Sequence, residues 1–119
     1  MRLVVYGTLK KGYGNNIWLR NSELINDNFK LVDFEIRDYG WFPVVNPKQG
    51  AVCYGELWEI DDDTLQGCDS LEGHPDFYTR IEVTQGDETF WLYQMPEYKV
   101  EGLPILEDGV WPGKQSEIY

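Results

Sequence analysis

Hydrophobic residues fall into short runs along the chain, and most of these runs alternate with polar residues at the two-residue period of a β-strand. Residues 3–6 are β-branched or aromatic and end at Gly7, which predicts a first strand followed by a turn. Residues 51–60 alternate most clearly and predict a long strand. Residues 29–37 alternate with a shift near Asp33, which predicts a strand with a β-bulge.

The remaining extended segments predict one hairpin and one break. Residues 80–84 and 89–93 read as strands, and residues 85–87, Gln-Gly-Asp, are typical of the turn between them. The pair Asn46-Pro47 is expected to break the extended segment that precedes it. From Met95 onward the chain is rich in Gly and Pro, and we expect it to be irregular.

Two short helices are predicted between these strands. Asn16 can cap a first helix that carries the apolar residues 17–19. The three aspartates at 61–63 offer N-caps for a second helix, in which an apolar residue recurs every third position over Leu65–Leu71. Gly73 is expected to end this helix.

Together these elements indicate an α+β protein. Many short strands with two short helices suggest a small mixed β-barrel, closed or nearly closed, with short flanking helices. The 119 residues, of which 42% are hydrophobic, suit one domain that spans residues 1–119 and has one modest core.

Charge and composition exclude several classes of partner. The formal net charge is −11, and a field of that sign repels nucleic-acid phosphates and anionic lipid surfaces. The sequence contains neither a secretory signal pattern nor an apolar run near the roughly 20 residues that span a bilayer. We therefore expect a soluble, cytoplasmic protein without nucleic-acid or membrane partners; the sequence does not specify an oligomeric state.

A metal site is also disfavoured. The chain has one histidine, His74, and two cysteines, Cys53 and Cys68, with no ligand spacing typical of zinc. The cysteines read as small buried hydrophobic residues rather than as nucleophiles or a disulfide framework.

The first candidate for chemistry is the turn Tyr6-Gly7-Thr8-Leu9. A turn directly after a strand can point successive backbone N–H groups into one concavity, which suits a carboxylate or a developing oxyanion. Gly7 would permit backbone angles that other residues avoid. The alternative is an ordinary turn that ends a strand.

The second candidate is Glu72, at the predicted end of the second helix. The negative end of the helix dipole and the apolar neighbours both disfavour a charged carboxylate, so the pKa of Glu72 should be raised. A glutamate with a pKa near neutrality can act as a general base. Alternatively, Glu72 is an ordinary solvated residue. Asp69, three residues earlier, could orient Glu72, cap a loop or be solvated.

The third candidate is the pair Tyr78 and Arg80. Residues two apart on a strand share a face, so a hydroxyl and a guanidinium here could bind a carboxylate or an amide carbonyl. The alternative is that Arg80 pairs with one of the many acidic residues.

In this order, the motifs resemble the γ-glutamylcyclotransferase-like family, and in particular its γ-glutamylamine cyclotransferase and avirulence-induced-protein-like branch. The resemblance runs over about residues 3–93. It rests on the following segments: Tyr6-Gly7-Thr8-Leu9, Asp38-Tyr39-Gly40, Phe42-Pro43, Val52-Cys53-Tyr54-Gly55-Glu56-Leu57-Trp58, Asp69-Ser70-Leu71-Glu72-Gly73 and Tyr78-Thr79-Arg80. One departure is Cys68, where the family has leucine before the aspartate.

The resemblance implies an enzyme that cyclises an L-γ-glutamyl amide to 5-oxoproline and releases an amine or amino acid. It implies Glu72 as the catalytic acid/base, and Tyr6, Gly7, Thr8, Leu9, Tyr78 and Arg80 around the substrate. Neither metal nor cofactor is implied, and the partner is a small γ-glutamyl compound. The alternatives are a non-catalytic binding module on the same fold, or an interaction protein that uses an aromatic surface near Trp41.

Overall fold

Five strands and three short helices make up the part of the chain that the computed structural model describes, residues 1–113. In chain order they are β1 (Arg2–Val5), a 3₁₀-helix (Asn16–Leu19), β2 (Glu23–Asp38), β3 (Pro43–Glu59), α1 (Asp62–Glu72), β4 (Thr79–Gln85), β5 (Glu88–Gln94) and α2 (Glu97–Val100). None of the described helices is long and apolar enough to cross a membrane.

The strands form one mixed sheet in the order β2-β3-β1-β5-β4. The pair β1 and β5 is parallel, and the other neighbours are antiparallel. The α+β class is thus confirmed, but the sheet is not a closed barrel. In place of a backbone ladder between the edge strands, the Gln85 side chain on β4 donates to the Lys30 carbonyl and accepts from the Val32 N–H on β2.

The bulge predicted near Asp33 is present, whereas the break at Asn46-Pro47 is not. Asp33 has a left-handed φ of 68°, and the β2–β3 register shifts between Val32 and Phe34. The long strand β3 runs through Asn46-Pro47 because the Asn46 side chain is fully buried and bonded to Arg37 and to Glu35 on β2. These long-range partners override the local preference for a turn.

The helix α1 has the predicted ends. Asp61 caps it by accepting from the Thr64 N–H, and Gly73 ends it in the left-handed conformation, with φ 67°. The 3₁₀-helix lies where the first helix was predicted, but Asn16 does not cap it; its side chain donates to the Leu9 carbonyl instead. After Met95 and up to residue 113 the chain is irregular apart from α2, and the rest of the segment predicted to be irregular lies outside the described residues.

Two buried apolar clusters lie on opposite faces of the sheet. Alternation along β1 sends Leu3 and Val5 to one cluster, which includes Leu65 of α1, and Val4 to the other. The helix α1 therefore packs on the face that carries Leu3 and Val5, and its C-terminal end reaches the point where β1 stops.

Candidate active site

A cavity of about 320 Å³ opens where β1 ends. It is lined by the end of β1, the turn after it, the β2–β3 connection, the end of α1, the segment before β4, and β5. The lining residues are Val4, Val5, Tyr6, Gly7, Thr8, Leu9, Asn15, Trp41, Phe42, Pro43, Leu71, Glu72, Phe77, Tyr78 and Tyr93. The cavity thus brings together every predicted site residue except Arg80.

The turn of residues 7–9 forms one wall. Its backbone N–H groups donate to no protein acceptor within residues 1–113, so all three are available to a ligand. Gly7 does not have the left-handed backbone angles that would demand glycine. The reason for glycine is close packing, since a Cβ at this position would lie 2.7 Å from the Cδ of Pro43.

Two polar residues that the sequence analysis had not assigned to the site hold this turn. Asn15, which lines the cavity, donates through its side chain to the Thr8 hydroxyl and through its backbone to the Thr8 carbonyl, each at 2.9 Å. Glu56 is buried behind the turn and accepts from the Lys11 N–H at 2.9 Å. Asn15 belongs to no motif of the sequence analysis, and Glu56 lies in the segment of residues 52–58 but was given no role there, so the contacts of the folded chain give both side chains their roles.

Glu72, the last residue of α1, lines the same cavity. Burial raises the pKa of its carboxyl to about 7. The chain turns back sharply after Gly73, and the Tyr78 N–H donates to the Glu72 carbonyl at 3.2 Å. This bond fixes Tyr78 beside Glu72. The predicted rise in pKa is present, and its cause is burial.

Two tyrosines close the deep end of the cavity. The Tyr6 hydroxyl donates to the Tyr93 carbonyl at 2.6 Å, and the Tyr78 hydroxyl donates to the Pro43 carbonyl at 2.5 Å. Burial raises both tyrosine pKa values well above the ordinary range, and the nearby Glu72 carboxylate adds to the effect. Both rings therefore stay neutral, with their hydroxyl protons committed to main-chain carbonyls, and the Tyr6 hydroxyl oxygen also accepts from the Val45 N–H at 3.3 Å.

Arg80 differs from the expectation. Its guanidinium lies outside the cavity, where it bonds both carboxylate oxygens of Asp69 at 2.8 and 3.0 Å and covers the Trp91 ring at 4.3 Å. Tyr78 precedes β4 rather than lying on it, so the two side chains do not share a strand face. Of the two alternatives for Arg80, substrate binding or an ion pair with an acidic residue, the structure shows the ion pair.

Asp69 links α1 to the sheet rather than touching the cavity. Burial alone would raise its pKa, but hydrogen bonds from Arg80 and from the Tyr93 hydroxyl outweigh burial and lower the pKa below its usual value. Because Tyr93 also lines the cavity, this network ties the end of α1 to the cavity wall.

The described residues contain neither an ionised thiol nor a cluster of metal-ligating side chains. Burial raises the pKa of both Cys53 and Cys68 to about 12, so both thiols are neutral at physiological pH. Within residues 1–113, His, Cys, Asp and Glu side chains form no group of three that could hold a metal ion.

With this fold and site in place, comparison with known proteins identifies the family. The family model described as γ-glutamyl cyclotransferase, AIG2-like, matches residues 3–113. The γ-glutamylcyclotransferase family protein YtfP of Escherichia coli is 34% identical over 113 residues, which cover 93% of this chain and 96% of the relative. A putative γ-glutamylcyclotransferase of Methanocaldococcus jannaschii is 38% identical over 100 residues, which cover 78% and 82%. The chain belongs to the AIG2-like γ-glutamylcyclotransferase family.

Solved structures agree with the fold. The solution structure of YtfP superimposes with a TM-score of 0.72 at 31% identity and covers 94% of this chain and 96% of its own. The crystal structure of an AIG2-like protein from Mus musculus gives a TM-score of 0.76 at 24% identity, with coverage of 97% and 91%. The second likeness is evidence for the fold alone.

Proposed function

We propose that this protein is an enzyme that cyclises L-γ-glutamyl amides to 5-oxoproline, with Glu72 as its general acid and base. The observation that carries the proposal is the position of Glu72: it lines the same cavity as the turn of residues 7–9, and burial raises the pKa of its carboxyl to about 7. A base with this pKa is ionised in half of the molecules at neutral pH and can both take and return a proton.

The reaction needs no enzyme nucleophile, because the substrate supplies its own. In the proposed mechanism the Glu72 carboxylate takes a proton from the substrate α-ammonium. The freed amine attacks the side-chain amide carbon and forms the new C–N bond of 5-oxoproline. The old amide C–N bond then breaks, and the proton held by Glu72 passes to the leaving nitrogen, which departs as a neutral amine. The ring nitrogen, which still carries two protons, gives one of them to the Glu72 carboxylate. This proton is then released to water, where it can protonate the departed amine, and Glu72 is ionised again.

Different groups in the cavity would bind different parts of the substrate. The free N–H groups of residues 7–9 are suited to the substrate carboxylate or to the oxyanion that develops during attack. The Tyr78 hydroxyl has committed its proton to the Pro43 carbonyl, so its oxygen is suited to accept from the α-ammonium. The Tyr6 hydroxyl oxygen already accepts from the Val45 N–H at 3.3 Å. Holding the glutamyl chain folded in the cavity would contribute through proximity.

The experiment measures 5-oxoproline release from L-γ-glutamyl methylamide by the wild type and by the Glu72→Gln variant. We expect kcat to fall by at least about 10²–10⁴-fold in the variant, because the amide cannot exchange the proton. The wild-type kcat/KM should rise with pH up to about 7, where Glu72 ionises, and this limb should be absent from any residual activity of the variant.

Glu59→Gln is the control, since Glu59 lies on β3 beside Arg2 and away from the cavity. An N-acetylated substrate, which lacks the nucleophile, should release no amine. If folded Glu72→Gln turns over normally, the assignment of Glu72 is wrong. If the wild type turns over no γ-glutamyl amide, the protein is better regarded as a binding module on this fold.

A further inference from the structure

The cavity changes character from its deep end to its opening. Tyr6 and Tyr78, at the deep end, are each 6% exposed, whereas Trp41 is 66% and Phe77 41% exposed although both line the same cavity. With the half-buried Phe42, these two residues form an aromatic rim, defined here as Trp41, Phe42 and Phe77. The rim is where a bound molecule would leave the protein.

Two of the three rim residues, Phe42 and Phe77, belong to a cluster of packed aromatic rings. Phe42 and Phe77 meet edge to face with their centroids 5.8 Å apart, and Tyr39 stacks on Phe42 at 4.8 Å. The Phe77 N–H donates to the Gly73 carbonyl at 2.8 Å, so the ring is held by the same tight turn that follows Glu72. The aromatic surface is therefore preorganised next to the carboxyl group.

The cavity lining carries little charge. Among the lining residues within residues 1–113, Glu72 is the only charged one. Outside the lining, Arg80 is paired with Asp69, and the Lys10 ammonium donates to the Trp111 carbonyl at 3.2 Å. The Lys99 ammonium donates to the Asp76 carbonyl at 3.2 Å, one residue before Phe77. A carboxylate on a leaving group would find no cation among the lining residues within residues 1–113 and would lie in the field of a chain with a net charge of −11.

We propose that the aromatic rim is the leaving-group subsite, and that it selects γ-glutamyl amides whose amine half is aromatic or otherwise apolar and carries no carboxylate. This inference rests on the proposed function, in which the scissile amide lies beside Glu72. The glutamyl half occupies the deep end, so the substituent on the leaving nitrogen extends from Glu72 across Phe77 toward Trp41.

Three substrates that differ by one group at a time test the inference. L-γ-Glutamyl phenethylamide and L-γ-glutamyl-L-phenylalanine differ only in the carboxylate of the amine half. L-γ-Glutamyl methylamide lacks the aromatic group. We expect kcat/KM for the phenethylamide to exceed the value for either of the other two by about tenfold or more, the scale on which an apolar subsite discriminates.

Substitutions in the aromatic rim test whether the preference for the phenethylamide arises there. Trp41→Ala, at an exposed position, and Phe77→Ala should each lower the ratio of kcat/KM between phenethylamide and methylamide by about tenfold. Tyr98→Ala is the matched control, since Tyr98 is 72% exposed and does not line the cavity; its ratio should equal that of the wild type. A thermal midpoint for each variant shows that it is folded.

The outcomes separate the two proposals. If the methylamide yields 5-oxoproline but the three substrates react equally, or the phenylalanine compound reacts fastest, the rim assignment is wrong and the proposed function stands. An unchanged ratio in both folded rim variants also refutes the rim. If no substrate yields 5-oxoproline, the proposed function fails, and this inference fails with it.

Discussion

Burial controls the charge of Glu72 and thereby couples the site to stability. Its carboxyl has a pKa of about 7 in the folded chain and would have one of about 4.3 in an unfolded chain. The folded state thus binds the proton more tightly. The contribution of Glu72 to the free energy of unfolding is therefore most favourable below about pH 4.3, where the carboxyl is protonated in both states. It decreases as the pH rises to about 7, and above that pH the ionised, buried carboxylate destabilises the fold.

Glu72→Gln should therefore be more stable than the wild type at pH 8, by about 1–3 kcal/mol after allowance for the partial exposure of the side chain. At pH 4.5 the difference should be close to zero. Urea unfolding of both proteins at a series of pH values measures it. Glu82→Gln, at an exposed position on β4, is the control and should show a flat difference. Parallel curves for Glu72→Gln and the wild type would contradict this account.

Two site residues show which predictions from sequence were possible. The rise in the Glu72 pKa was predicted from the position of Glu72 at the end of a helix and from its apolar neighbours. In the structure the cause of the rise is burial in the cavity. Gly7 was predicted from a turn pattern, but its packing against Pro43 joins segments 36 residues apart in sequence. Local patterns identified the residue types at the site, whereas their physical reasons depend on distant parts of the chain.

The contact between α1 and the β4–β5 hairpin determines where the end of α1 lies. Asp69 receives two hydrogen bonds from Arg80 on β4 and one, at 2.7 Å, from the Tyr93 hydroxyl on β5. These bonds lower the Asp69 pKa. Their stabilisation is present above the unfolded value of about 3.9 and is lost as the pH falls through the lower folded value.

Asp69→Asn should lower the free energy of unfolding by about 1–3 kcal/mol at pH 7, since it leaves the Arg80 guanidinium without its counter-charge. The loss should be smaller at pH 3, because the stabilisation by the ionised carboxylate decreases below the unfolded pKa of about 3.9. Chemical denaturation at the two pH values measures both quantities. Asp63→Asn, exposed in the first turn of the same helix, should change stability by no more than about 0.5 kcal/mol. Equal losses for the two variants would show that the network contributes nothing specific.

Elements that depend on nearby residues, such as caps and turns, could be predicted from the sequence. Elements that depend on pairing with a distant strand could not. The capped helix α1 and the β4–β5 hairpin follow the sequence closely, because caps and turn glycines act within a few residues. The passage of β3 through Asn46-Pro47 depends on a bulge in β2 and on a buried polar network. The prediction of a closed barrel was wrong for a similar reason, because the contact between the edge strands β2 and β4 joins distant parts of the chain. The Gln85 side chain makes this contact, and no backbone ladder does.

The last described segment of the chain packs against the loop that follows the turn of residues 7–9. Trp111 is 2% exposed and contacts the Tyr13 ring at 5.7 Å. Its carbonyl accepts from the Lys10 ammonium, and the Pro112 carbonyl accepts from the Tyr13 hydroxyl at 3.1 Å. Earlier in the segment, the Gly109 carbonyl accepts from the Tyr54 N–H. The first and last parts of the described chain thus support one wall of the cavity together.

Trp111→Ala should cost about 3–5 kcal/mol of stability, the usual effect of removing a fully buried tryptophan. If the segment also positions the turn of residues 7–9, kcat/KM on the methylamide should fall about tenfold or more under conditions where the variant remains folded, and Trp111→Phe should restore most of both. Ile105→Ala is the control, because Ile105 lies in the same segment but is 42% exposed. Stability and activity are measured on the same preparations, by urea unfolding and by 5-oxoproline release. A folded Trp111→Ala variant with wild-type kcat/KM would restrict the segment to a structural role, because the N–H groups of the turn would then hold their geometry without it.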